Sequence, residues 1–86
     1  MQNREIALEA TVAAIQTFIV REHGDLPDPL TPDTELLRRG LLESLQLAQL
    51  SRELADTFGV ELPMGALVLQ DFQTPRSIWK CFERFR

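Results

Sequence analysis

The chain has no tyrosine, one histidine, one tryptophan and one cysteine in 86 residues. The single histidine, His23, reads as a side chain that complements the negative end of a helix dipole beside Gly24, a reading that outweighs catalysis. A single cysteine, Cys81, excludes an internal disulfide framework and Cys-rich zinc sites. With so few aromatics and no basic cluster, a surface that stacks nucleobases is not expected. No run approaches the roughly 18 apolar residues that a membrane-crossing helix needs, and no signal-peptide pattern opens the sequence. Nine bases against thirteen acids give a net charge of −4, which disfavours nonspecific binding to nucleic acid or anionic membrane. The expected address is the cytoplasm.

What is present is an ordinary globular composition, 44% apolar and 26% charged, sufficient for one small core. No stretch alternates like a strand. Ile6, Leu8, Val12, Ile15, Phe18 and Ile19 predict a first helix over residues 3–22, closed at His23-Gly24 with glycine as the cap. Residues 25–40 hold Pro27, Pro29 and Pro32, which forbid a regular helix. Within them Asp33-Thr34-Glu35-Leu36-Leu37 predicts a short turn that drops Leu36 into the core. A second helix is expected over 44–58, burying Leu47, Leu50, Leu54 and Phe58 and exposing Leu45, Ala48, Gln49, Arg52 and Asp56, with Gly59 at its end. Residues 60–63 read as an extended connector and 64–70 as a short, weak helical turn. Thr74 and Pro75 then punctuate a last helix as N-cap and first helical residue. Ile78, Cys81 or Phe82, and Phe85 supply its buried face, while Arg76, Lys80, Arg84 and Arg86 read as a solvated one. Trp79 either covers the bundle's edge or offers a contact between copies. The expected fold is all-α, a four-helix bundle with three main helices and a short third, in one domain over 1–86.

The residue with chemical promise is Ser44, in Gly40-Leu41-Leu42-Glu43-Ser44-Leu45, where a loop turns into a helix. Backbone N–H groups and the helix dipole favour negative charge there, so a hydroxyl at that place suits a phosphate ester. The ordinary alternative is a plain N-cap serine.

From about residue 30 to 85 the chain resembles the acyl carrier proteins. The resemblance rests on an ordered set: the proline-rich loop, Asp33-Thr34-Glu35-Leu36, the Gly40–Leu45 segment, Phe58-Gly59-Val60, and the run from Asp71 to Ile78. It implies covalent 4′-phosphopantetheine, derived from coenzyme A, on Ser44. It also implies a phosphopantetheinyl transferase that uses coenzyme A and Mg²⁺, an acyl- or aminoacyl-loading ligase, and a downstream transferase or synthase. The implied role is to hold acyl or aminoacyl groups as thioesters and deliver them, with no catalysis by the chain itself. Glu43, Leu45, Gln49, Arg52 and Asp56 are the expected partner-docking residues, on a monomer without a resident metal.

Two departures refine the resemblance. Glu43 stands where the family most often has Asp. The helix after Ser44 carries Gln46, Gln49 and Arg52 where fatty-acid-synthesis carriers usually show a row of acids. The Leu-Gly-Gly-X-Ser pattern of multimodular peptide synthetases is also absent. A freestanding carrier of a specialised pathway fits these departures. The rival reading is an unmodified helical adaptor that binds a partner through the helix from Ser44 to Asp56. A small enzyme would need a catalytic constellation that the sequence lacks.

Overall fold

Ile6 carries no helical hydrogen-bond pattern, yet it is buried, held by Trp79 and Glu83. The Trp79 indole N–H donates to the Ile6 carbonyl, and the Ile6 N–H donates to Glu83 Oε2 at 3.2 Å. A computed structural model describes residues 6–26, 28–61 and 72–85 of the chain. Among these, the regular elements are α1 (Leu8–His23), α2 (Ser44–Phe58) and α3 (Pro75–Phe85). The expected turn over 64–70 lies outside the described residues, as does Arg86. An all-helical chain was expected, and the described elements are all helices.

The first helix starts later than its apolar spacing predicts. Ala7 is extended, with φ −73° and ψ 138°, and acts as N-cap; residues 3–5 lie outside the description. Ile6 therefore belongs to a strap along α3. Thr11, which the apolar pattern passed over, is fully buried on the inner face with Ile15, Phe18 and Ile19. Its hydroxyl donates to the Ala7 carbonyl at 3.1 Å, so the buried polar group is satisfied. At the other end the Gly24 N–H reaches Val20 O at φ +93°.

α1 packs against both α2 and α3. Leu47, Leu50 and Leu54 of α2 are buried as expected, Phe58 is half-buried, and Ser51 joins them. The Ser51 hydroxyl donates to Leu47 O at 2.6 Å. In α3, Cys81 and Phe82 both turn inward with Ile78 and Pro75. Phe82 meets Phe58 edge to face, with centroids 6.1 Å apart.

Residues 28–43 form an ordered connection that is stitched to α3. Leu30 and Leu36 are buried. The Leu30 N–H donates to Gln16 Oε1 at 2.9 Å, the Leu36 N–H to Gln73 O at 2.8 Å, and the Arg76 N–H to Pro32 O at 2.9 Å. Arg76, expected on a solvated face, is at the surface and pairs there with Asp33. The expected Thr74 cap is observed: the Ser77 N–H donates to Thr74 Oγ1 at 3.1 Å, and the Thr74 N–H to Ser77 Oγ at 3.0 Å. A hydroxyl in place of the usual Glu or Gln completes this reciprocal cap.

Candidate functional site

The approach to Ser44 is built one residue at a time. Leu36 to Gly40 makes a single helical turn. It ends when the Gly40 N–H bonds Leu37 O at 3.1 Å and the Leu41 N–H bonds Leu36 O at 2.9 Å. This 5→2 and 6→1 pair is a Schellman ending, which needs a left-handed residue, and Gly40 supplies it at φ +72°. The chain is thereby re-aimed, and Leu42 is pressed into the core at 2% exposure. With Leu42 anchored, Glu43 turns extended (φ −112°, ψ 165°) and becomes the N-cap of α2. Ser44 is then the first helical residue.

The cap therefore falls on Glu43, not on Ser44. Glu43 and Gln46 form a capping box, in which the Glu43 N–H donates to Gln46 Oε1 at 3.0 Å. The same oxygen lies 3.1 Å from His23 Nε2. An amide oxygen can only accept, so the bond to the ring is the one that the Nε2–H tautomer of His23 makes. His23, expected only to complement a helix end, thus ties the last residue of α1 to the first turn of α2. Gln46 was not among the expected site residues. The signal was its spacing of three from Glu43, since a cap at Ser44 would place Leu47 in the box, where it has nothing to donate or accept.

Of the expected docking residues, Glu43, Leu45, Gln49, Arg52 and Asp56 are all exposed, and Leu45 is 74% exposed. They share the outer face of α2 and its cap. Glu53, on the flank of the helix, is engaged. Arg21 Nη2 donates to Glu53 Oε1 at 2.7 Å and to Oε2 at 2.9 Å, which holds the Arg21 guanidinium above its ordinary value. Upstream, Arg38 pairs with Glu35 at 3.5 Å. Among the described residues no group of three or more His, Cys, Asp or Glu could hold a metal ion. No described helix is long and apolar enough to cross a membrane.

The start of α2 fits a phosphate ester. By helix geometry the N–H groups of Ser44 and Leu45 have no intrahelical acceptor, no acid occupies the first turn, and the dipole favours an anion there.

Residues 13–82 match the family described as "Phosphopantetheine attachment site". The match spans most of the sequence, and the chain belongs to this family, whose defining group is covalently attached 4′-phosphopantetheine. Searches among curated proteins and among solved structures return no match.

Proposed function

We propose that Ser44 is the attachment point of 4′-phosphopantetheine and that the chain is a carrier of acyl or aminoacyl groups. The observation that carries the reading is the placement of Ser44 as the first residue of α2, beyond the Gly40 turn and the Leu42 anchor and beside exposed Leu45. When attached, the group supplies a thiol on a flexible arm, on which cargo rides as a thioester at high effective concentration beside a docked enzyme.

This chain's residues contribute presentation, not activation. Transfer joins the Ser44 hydroxyl oxygen to the phosphorus next to the pantetheine arm and breaks the pyrophosphate bond of coenzyme A. The adenosine bisphosphate remainder departs, and the hydroxyl proton passes to a base of the transferase. Gly40 and Leu42 aim the segment, Glu43 and Gln46 fix the first turn, and the Ser44 and Leu45 N–H groups, with no intrahelical acceptor, would favour the negative charge of an ester on Ser44. Leu45, Gln49, Arg52 and Asp56 form the docking face for the transferase, the loading ligase and the enzyme that takes the cargo. That face carries Gln49 and Arg52 beside Asp56 and not a row of acids, which supports a dedicated, specialised pathway.

The test is intact-protein mass spectrometry after incubation with coenzyme A, Mg²⁺ and a broad-specificity phosphopantetheinyl transferase, with Ser44→Ala alongside. One phosphopantetheine adduct on the wild type and none on the variant is the expected result. A folded wild type that takes up nothing from several transferases would instead favour an unmodified adaptor working through the outer face of α2.

A further inference from the structure

The charge of the α2 docking face is set partly by a residue of another helix. Glu53 is 42% exposed on the flank of α2, three positions before Asp56, so by sequence it would add an acid beside that face. Both of its oxygens are occupied by a single nitrogen, Arg21 Nη2, at 2.7 and 2.9 Å. Arg21 is itself braced. Its guanidinium lies 5.3 Å from the centroid of the buried Phe18 ring, and its Nε is 3.6 Å from Glu22. A side chain held on three sides loses less freedom in making the bond than a loose surface lysine would. On the outer face that remains, Arg52 and Asp56 carry opposite charges four residues apart. Glu43, at the cap, is the remaining acid.

We propose that Arg21 is a specificity-determining residue of the carrier: by occupying the Glu53 carboxylate it withholds an acid from the α2 face and turns the protein away from partners with cationic docking surfaces. The partners that fit are those offering an apolar socket for Leu45 within a weakly charged surround. A cationic partner must either displace Arg21 from Glu53 or dock without that contact, and either way the attraction that draws opposite charges together is reduced. The inference rests on the reading of α2 as the docking helix. It does not require Ser44 to be modified during the measurement.

The test separates docking from transfer. Dissociation constants are measured by calorimetry at low salt on a Ser44→Ala background, against a phosphopantetheinyl transferase whose docking surface is rich in arginine and lysine. Four forms are compared: the background alone, and with Arg21→Gln, Glu53→Gln, or both. Arg21→Gln should tighten binding about two- to fivefold, the span of an exposed ion pair. Adding Glu53→Gln should cancel the gain, and about 0.5 M salt should erase it by screening. Glu53→Gln alone should change little, because its carboxylate is already taken. No tightening by Arg21→Gln, or a loss on Glu53→Gln as large as that gain, overturns the proposal. Thermal melts of the same four proteins show whether Arg21→Gln has loosened the α1–α2 packing. Wild-type protein in the mass assay reports separately on attachment at Ser44, so a failure there leaves the docking comparison readable.

Discussion

Arg76 holds Asp33 across 43 positions of sequence, with Nε 2.9 Å from Oδ1 and an Nη nitrogen 3.3 Å from Oδ2. The pair fastens the connection before α2 to the first turn of α3, beside the Arg76 N–H to Pro32 O bond. The hydrogen bond from Arg76 lowers the Asp33 carboxyl below its ordinary value. A carboxylate lowered in this way stabilises the fold above its unfolded value, near pH 4, and loses that contribution as pH falls through the lower folded value. Wild-type melting temperature should therefore drop more steeply than that of Arg76→Ala as pH falls below about 4, the two curves converging at the acid end. Parallel curves would show that the pair carries no linkage.

Leu36 lies in a segment without regular helix yet is fully buried. Leu36→Ala should cost about 2–5 kcal/mol in urea unfolding, as a core leucine does. Leu54→Ala, on a helix, is the reference. A loss under about 1 kcal/mol would mean that the connection is draped on the bundle and not part of its core.

Gly40 sits at φ +72°, and a methyl group added to its Cα would meet nothing within 4 Å. Gly40→Ala therefore introduces backbone strain without a clash, at about 1–2 kcal/mol, and Gly40→Asn should cost less because asparagine tolerates this region. Since the turn aims the segment that leads to Ser44, Gly40→Ala should also slow phosphopantetheine uptake at temperatures where the protein is fully folded. Unchanged uptake would confine the turn to a structural role.

Gln46→Ala removes the acceptor for both the Glu43 N–H and His23 Nε2. A loss of about 1 kcal/mol is expected, typical of a broken helix cap. His23→Ala should cost less, since it leaves the capping box whole. Equal losses would place the stability in the α1–α2 tie and not in the cap.

Leu45→Glu changes a side chain that is 74% exposed. Its effect on unfolding should stay within about 0.5 kcal/mol, while the apparent KM for transfer rises. A folding defect without a KM change would deny Leu45 a docking role.

The helices were legible where two signals agreed. α2 follows its predicted bounds because Leu47, Leu50 and Leu54 step at helical spacing and Gly59 ends the run, at φ +67°. Thr74-Pro75 announced α3 for the same reason. The start of α1 was misread because Ile6 continues the apolar pattern while serving a different element: burial is visible in sequence, but the surface that buries a residue is not. The pairing of Arg76 with Asp33 was not legible because the two lie 43 residues apart. At the site, the resemblance singled out Ser44, and the structure shows that residue as the first of α2. The alternative reading of Ser44 as a plain N-cap followed residue preference, and the structure overturns it by placing the cap on Glu43, three residues before Gln46.

Cys81 is the one sulfhydryl encoded in the chain, and at 1% exposure it is closed inside the bundle with Ile78 and Phe82. A thiol kept from water is a poor nucleophile, so thioester exchange between an attached arm and the protein's own cysteine is suppressed while the bundle stays folded. Reactive sulfur would then arrive only with the prosthetic group. A water-soluble disulfide reagent should count no reactive thiol on the native unmodified protein and one after modification, making the apo-to-holo conversion a colour change.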